Sequence, residues 1–188
     1  MKPYVPSLLL SAELEGGPLL DEALQFCAER LRRPESEVRR ALRGDDQEAH
    51  STLRYAIAKG LSVYLARIGG GIYAVYLYGS AMKGEARPFS DIDLLVLVDR
   101  KLDQVRAFLG RVDLALVTAY RSLLGTKDDP ASLLDIHLVD VGEEEARQGY
   151  GALVGSARIS PVCLWRVTPK VSGAPMARSP RTSVTERG

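Results

Sequence analysis

The order of apolar and polar residues along the chain predicts three helices in its first third. Pro18 opens the first, whose apolar positions recur at three- and four-residue steps and are Leu20, Leu24, Cys27 and Leu31. Pro34 ends it, and a second short helix is predicted over 35–43. A third is predicted over 46–67, where leucine and isoleucine recur every fourth residue, and the glycine run 69–71 ends it.

The following segments alternate between strand and helix patterns. The first predicted strand, 72–78, is rich in β-branched and aromatic residues, and the second, 91–98, ends in a continuous apolar run typical of a strand buried on both faces. Apolar residues near a 3.5-residue spacing predict one long helix from Leu102 to Gly125. The remaining predicted elements are a strand over 134–141, a helix over 143–152 and a strand over 162–167.

These elements predict an α/β (α+β) fold with a small mixed sheet of about four strands flanked by helices. We place the main domain at 46–167 and a helical N-terminal extension at 1–45. Residues 168–188 are rich in Pro, Ser, Arg and Gly, which predicts a disordered tail.

Composition excludes several classes of protein. With 46% hydrophobic and 26% charged residues, the 188-residue chain is typical of one globular domain. Its net charge of +1 removes any overall electrostatic case for binding nucleic acid or a membrane surface. The two cysteines match no zinc or redox spacing, and we see neither a signal peptide nor a membrane-spanning segment. We therefore expect a cytoplasmic protein without membrane contact.

The segment 78–99 carries the candidate chemistry. Gly79 and Ser80 follow a predicted strand, and the backbone N–H groups of such a turn can face a phosphate. Asp91 and Asp93 begin the next strand, so both carboxylates project from one face about 7 Å apart along the chain. Two such carboxylates repel each other unless a divalent cation neutralises them, and Mg²⁺ suits a site of carboxylates and substrate phosphates.

Gly79 and Ser80, ten intervening residues and then Asp91-x-Asp93 resemble the signature of the nucleotidyltransferase superfamily, the DNA polymerase β-like fold, and especially its minimal members. The resemblance covers about 51–167. It implies the nucleotidyltransferase fold and an enzyme of the EC 2.7.7 type that uses Mg²⁺ or Mn²⁺. Such an enzyme transfers a nucleoside monophosphate, here expected to be AMP, from an NTP to a hydroxyl of a protein, nucleic acid or small molecule, and releases pyrophosphate.

The family also implies a third carboxylate on a neighbouring strand, and two aspartates compete for that role. Asp135 opens the predicted third strand, and a long crossover helix would make this strand parallel to the second, level with Asp91 and Asp93. Asp113 is the alternative. If Asp113 opened the third strand, only a short segment would remain to connect it to the second strand, so the geometry favours Asp135. In this scheme Asp91, Asp93 and Asp135 hold the metals and Asp135 accepts the acceptor's proton. The predicted nucleotide contacts are Gly79, Ser80, Lys83 and Arg87.

Two further features bear on partners. Six arginines between positions 30 and 43 predict a local positive patch that could engage nucleic acid. Minimal nucleotidyltransferases also resemble antitoxins, which bind or adenylylate HEPN-domain toxins. An interaction protein of that kind is therefore the alternative hypothesis, with the apolar helix face around Leu20, Leu24 and Leu31 as its candidate contact surface.

Overall fold

A computed structural model describes residues 16–68, 71–125 and 131–167 of the chain. The described α-helices are α1 (Gly16–Leu31), α2 (Glu35–Leu42), α3 (Gln47–Ile68), α4 (Ser80–Lys83), α5 (Asp103–Leu124) and α6 (Val141–Ala146). The strands are β1 (Ile72–Tyr78), β2 (Ile92–Val98), β3 (Leu134–Asp140) and β4 (Val162–Arg166), and a 3-10 helix covers Gly149–Leu153. None of the described helices is long and apolar enough to cross a membrane.

The four strands form one mixed sheet in the order β3-β2-β1-β4, which confirms the predicted fold class. Strand β2 pairs antiparallel with β1 and parallel with β3, and β4 pairs antiparallel with β1. The parallel pair needs a crossover connection, which α5 supplies over its 22 residues. As predicted, β2 is an interior strand, and six of its seven residues are buried.

The two faces of the sheet differ in what covers them. On one face, alternate residues of β2 such as Leu94 and Val96 join the main hydrophobic core with α1, α3 and α5. On the other face, Leu95, Leu97 and Val139 form a smaller cluster, against which Tyr78 and the 3-10 helix pack. Because side chains alternate along a strand, Asp93 and Asp135 lie on this second face.

The described part of the predicted N-terminal extension, 16–45, contains two helices, and α1 belongs to the main core. The α1 residues Leu20, Leu24 and Cys27 are almost completely buried in the same cluster as the sheet. The backbone of Gly16 lies so close to α5 that an added Cβ would overlap the carbonyl oxygen of Ala115. The face around Leu20 and Leu24 is therefore not available as the contact surface that the interaction hypothesis assigned to it.

Some element boundaries differ from the predicted ones. The predicted helix over 143–152 is divided, because Arg147 and Gly149 both adopt a left-handed backbone with φ of 51°. Strand β3 ends at Asp140, whose side chain caps α6 in a reciprocal bond with Glu143. Strand β2 starts at Ile92, so Asp91 lies just before it. The predicted disordered tail, 168–188, lies outside the described residues.

Candidate active site

A glycine turn connects β1 to the one-turn helix α4 and brings the backbone against Asp93. Gly79 has φ of 76° and ψ of −152°, a conformation that is essentially restricted to glycine. A Cβ added to Gly79 would overlap the carboxylate oxygen Oδ2 of Asp93. Tyr78, just before the turn, pairs with Asp93 across β1 and β2. The close approach therefore requires glycine at position 79 for two independent reasons.

Asp93 and Asp135 are partners in the parallel register of β2 and β3, so they lie side by side on one face of the sheet. Asp93 is half-buried, and burial raises the pKa of its carboxyl, with further contributions from the charges of Asp135 and Asp91. Asp91 is exposed at the beginning of β2. Burial, followed by the charges of Asp93 and Asp135, also raises the pKa of the Tyr78 hydroxyl. These carboxylates therefore share one electrostatic environment, in which a cation would be favoured.

A histidine and a tyrosine adjoin Asp135. His137, two residues further along β3 on the same face, lies with its Nε2 3.2 Å from Oδ2 of Asp135. The ring of Tyr150, from the 3-10 helix, stacks on the His137 ring with 3.6 Å between centroids and 12° between planes. Asp135 keeps 45% of its side chain exposed in this arrangement. Its carboxylate is therefore oriented by a neighbour and still open to an approaching group.

Asp113, the alternative third carboxylate, has a different position and different partners. It lies within α5 rather than at the start of a strand. Its Oδ1 accepts hydrogen bonds from the backbone N–H groups of Leu133 and Leu134, both at 2.9 Å, and its Oδ2 accepts one from the Ser132 hydroxyl at 2.7 Å. Asp113 thus binds the backbone that leads into β3, while Asp135 is the aspartate level with Asp93.

The other predicted nucleotide contacts surround the turn. Ser80 is half-buried at the start of α4, and Lys83 and Arg87 are exposed on the segment that leads to β2. Neither cation forms an ion pair within the part of the chain that the structure describes. Both therefore remain available to an anionic ligand, although their contact with one stays a prediction.

The carboxylate set fits a divalent cation in its chemistry, although it is not a closed cage. Carboxylate oxygens are the hard ligands that Mg²⁺ and Mn²⁺ take. Burial raises the pKa of Asp93 first, and the charges of Asp135 and Asp91 raise it further, a repulsion that a cation would relieve. In the ranges 16–68, 71–125 and 131–167, no three His, Cys, Asp or Glu side chains are placed to hold an ion by themselves. Such a set suits a cation that also takes ligands from a bound phosphate.

Comparison with known families identifies the domain that carries this site. Residues 65–139 match the family model described as polymerase beta, nucleotidyltransferase. The match runs from the end of α3 through β3 and includes Gly79, Ser80, Asp91, Asp93 and Asp135. The resemblance seen in the sequence is confirmed: this part of the chain is a nucleotidyltransferase domain of the polymerase β-like superfamily. No curated protein and no solved structure matched the chain.

Sequence reasoning missed two buried polar residues of α3, one of which, Arg54, contacts the segment before Asp91. Arg54 and His50 are both completely buried. The arginine side chain binds the backbone of Pro88 and Ser90. One signal was present in the sequence: Arg54 falls at a helical spacing from the buried residues Leu61 and Leu65.

Proposed function

We propose that the protein is a metal-dependent nucleotidyltransferase that transfers a nucleoside monophosphate, AMP in the first instance, from an NTP to a hydroxyl group. One observation carries this proposal. Asp93 and Asp135 are register partners on adjacent parallel strands, and the Gly79 backbone lies against Asp93 in the turn where a phosphate would bind. Membership of the superfamily supports transferase chemistry in general.

In this proposal each group has a defined task. Asp91, Asp93 and Asp135 would hold Mg²⁺ or Mn²⁺, which supplies charge stabilisation at the α-phosphate when bound. The Ser80 hydroxyl and the exposed cations Lys83 and Arg87 would bind the triphosphate. The acceptor oxygen forms a bond to the α-phosphorus while the bond to the bridging oxygen of the β-phosphate breaks, and pyrophosphate leaves. The proton of the acceptor hydroxyl passes to Asp135.

His137 supports the proposed role of Asp135. Its Nε2 lies within hydrogen-bonding distance of one carboxylate oxygen, Oδ2, and the stacked Tyr150 ring limits how the imidazole can rotate. In this proposal the same contact orients the other oxygen, Oδ1, which would receive the proton. A general base has to lie within hydrogen-bonding reach of the proton it removes, so a fixed orientation increases its efficiency.

The arginine patch between positions 30 and 43 favours nucleic acid as one class of acceptor. Two of its six members are engaged, since Arg33 binds Asp46 and Glu48 and Arg39 binds Glu35. The other four are exposed and form no ion pair with any described residue, namely Arg30, Arg32, Arg40 and Arg43. Arg30 also lines a groove of about 590 Å³ with Phe26 and Tyr55, which offers ring surfaces next to a positive charge.

The experiment that tests the activity is a labelling assay. The protein is incubated with each of the four α-labelled NTPs, Mg²⁺ and a cell extract, and the labelled product is identified. We expect one NTP to label one acceptor class with release of pyrophosphate, and EDTA or Asp93→Asn to abolish the labelling. Wild-type protein that labels nothing and binds no Mg²⁺–NTP would contradict the proposal. Asp21→Asn, at an exposed site on α1, is the matched control.

If the labelled acceptor is a nucleic acid, the salt dependence of binding tests the arginine patch. Each phosphate neutralised on a single strand contributes a slope of about −0.7 in log K against log salt. Replacing Arg30, Arg32, Arg40 and Arg43 by Gln should therefore flatten the slope by up to about 3 units. An unchanged slope would exclude the patch. A labelled HEPN-domain protein would instead support the antitoxin-like alternative.

A further inference from the structure

An arginine is buried in the core beside the candidate site, and the catalytic scheme does not use it. Arg54 of α3 is 0% exposed. No carboxylate in the described parts of the chain forms an ion pair with it. Burial lowers the pKa of the guanidinium, and Tyr120, followed by the nearby charge of Asp91, opposes that shift. Removing such a charge from water costs free energy, which its hydrogen bonds have to offset.

Those hydrogen bonds connect α3 to the loop that precedes Asp91. The Nε of Arg54 donates to the Ser90 carbonyl oxygen at 2.7 Å, and Nη2 donates to the Pro88 carbonyl oxygen at 2.9 Å. The planar guanidinium thus binds the carbonyl groups on both sides of Phe89. Phe89 itself is 63% exposed, so the loop turns this aromatic side chain outward while these two carbonyls are directed into the core.

The third nitrogen of the guanidinium is held from the side of the helix. Nη1 of Arg54 lies 3.2 Å from Nδ1 of His50 and donates to the His50 carbonyl oxygen at 3.3 Å. The other ring nitrogen of His50, Nε2, lies 2.9 Å from the Gly44 carbonyl oxygen. A proton on Nε2 leaves Nδ1 as the acceptor for Arg54, and burial lowers the pKa of His50, which favours this neutral ring. All three nitrogens of the guanidinium are therefore engaged.

A second side chain of the same helix holds the beginning of the loop. The hydroxyl oxygen of Ser51, one turn before Arg54, accepts a hydrogen bond from the Ala86 N–H at 3.0 Å. Within the loop, the Arg87 N–H donates to the Ser90 hydroxyl oxygen and the Ser90 N–H donates to the Arg87 carbonyl oxygen. The segment 86–90 is thus fixed at both ends to α3, and Asp91 is the next residue.

We propose that Arg54 is a positioning residue of the site, whose planar guanidinium fixes the loop 86–90 and thereby the carboxylate of Asp91 at the start of β2. This inference rests on the proposed function for the role of Asp91, although the attachment of the loop can be tested without it. The forked geometry is essential in this proposal. A lysine would keep the charge, but its single Nζ cannot reproduce the fixed spacing of Nε and Nη2.

The experiment compares Arg54→Lys with wild type by two measurements, the hydrogen exchange of the Ala86, Arg87 and Ser90 amides and the affinity for Mg²⁺–NTP. We expect faster exchange at these amides relative to the rest of the protein, and a loss of affinity of about 10- to 100-fold, as for residues that orient metal ligands. Ile57→Ala, at a buried apolar position one turn further along α3, is the matched control for general destabilisation. It should leave the relative exchange of the loop unchanged.

Unaltered loop exchange in Arg54→Lys would overturn the proposal. A loss of Mg²⁺–NTP affinity that Ile57→Ala reproduces would also overturn it. Ser51→Ala is a second variant that removes only the other attachment, and it should accelerate exchange at Ala86. Wild-type protein that binds no Mg²⁺–NTP would contradict the proposed function, and the exchange measurement would still decide whether Arg54 fixes the loop. If Arg54→Lys loosens the loop but still binds Mg²⁺–NTP with wild-type affinity, the proposed link to Asp91 is wrong.

Discussion

At the scale of single residues, the contact between Gly79 and Asp93 links the turn that we propose for phosphate binding to the carboxylates. The turn has no room for a side chain, because Asp93 occupies the space where a Cβ would lie. The position of Asp93 is in turn fixed by the strand register, which places it beside Asp135. The position of the turn and that of the acidic pair are therefore not independent, and a change in one should be measurable in the other.

Alanine at two glycines tests this contact. Gly79 and Gly84 both have positive φ, at 76° and 75°, but an added Cβ meets nothing within 4 Å at Gly84. We expect Gly84→Ala to lower the free energy of unfolding by about 1 to 2 kcal/mol through backbone strain alone. Gly79→Ala should cost more and should also weaken Mg²⁺–NTP binding, because it displaces Asp93. Urea unfolding and calorimetric titration measure the two effects, and equal losses in the two variants would contradict the prediction.

The raised pKa of Asp93 predicts a pH dependence of stability in the metal-free protein. The folded state binds this proton more tightly than the unfolded state, whose carboxyl has a pKa of about 3.9. Stability should therefore decrease as the pH rises from that value through the raised pKa of the folded state. In EDTA, Asp93→Asn should show a flatter profile of Tm against pH and a higher Tm at neutral pH. A lower Tm than wild type at neutral pH would contradict this expectation.

At the scale of elements, the long crossover helix α5 determines which aspartate lies beside Asp93. It carries Asp113 to the backbone before β3 and aligns β3 with β2, so that Asp135 comes level with Asp93. The two aspartates differ in how they should tolerate an amide. Asparagine retains the Oδ1 acceptor that binds the N–H groups of Leu133 and Leu134, but it lacks the charge that a cation requires.

Amide substitution should therefore separate the two roles. We expect Asp113→Asn to retain transfer activity and Asp135→Asn to lose it. Asp113→Ala, which leaves two N–H groups without their acceptor, should lower the free energy of unfolding by about 1 to 3 kcal/mol. Activity assays and chemical unfolding of the three variants provide the measurements. Loss of transfer in Asp113→Asn with its stability retained would mean that the third carboxylate is misassigned.

The elements also show what the sequence could predict. Periodicity is a strong signal in long segments, so α3, α5 and all four strands lie close to their predicted positions. It is weak where single residues decide the structure, as at Arg147, whose left-handed backbone divides the helix predicted over 143–152. The Gly-Ser and Asp-x-Asp spacing identified the superfamily, which the family match confirmed. The helical spacing of Arg54 was a signal of its burial, but its contacts with the loop were not predictable, because backbone carbonyls leave no mark in the sequence.

At the scale of the whole molecule, α1 is held between α3 and α5, which makes the N-terminal helix part of the single main core. The sequence placed this segment outside the domain because the resemblance begins only after it. A resemblance reports shared motifs, whereas membership of a core depends on which apolar surfaces meet. Leu24 and Cys27 are both 0% exposed, so removing α1 would open the core beside the sheet.

Thiol labelling tests whether α1 leaves the core independently. Burial raises the pKa of the Cys27 thiol to about 12, whereas Cys163 on β4 is exposed. Iodoacetamide should therefore modify Cys163 rapidly in the native protein and Cys27 only at the rate of global unfolding. Mass spectrometry of the two peptides gives both rates at increasing urea concentrations. Labelling of Cys27 well below the unfolding transition would show that α1 detaches as a separate unit.

The contact between Gly16 and Ala115 has a consequence for synthesis of the chain on the ribosome. The two residues are 99 positions apart, as 115 minus 16, so the first helix that the structure describes packs against one that is synthesised much later. At about 5 to 20 residues per second, translation takes roughly 5 to 20 s to cover that distance. During this time α1 can pair with α3, which follows it closely, but its other side faces solvent. We therefore expect the nascent chain to pass through a helical intermediate whose apolar surface is covered only when α5 emerges.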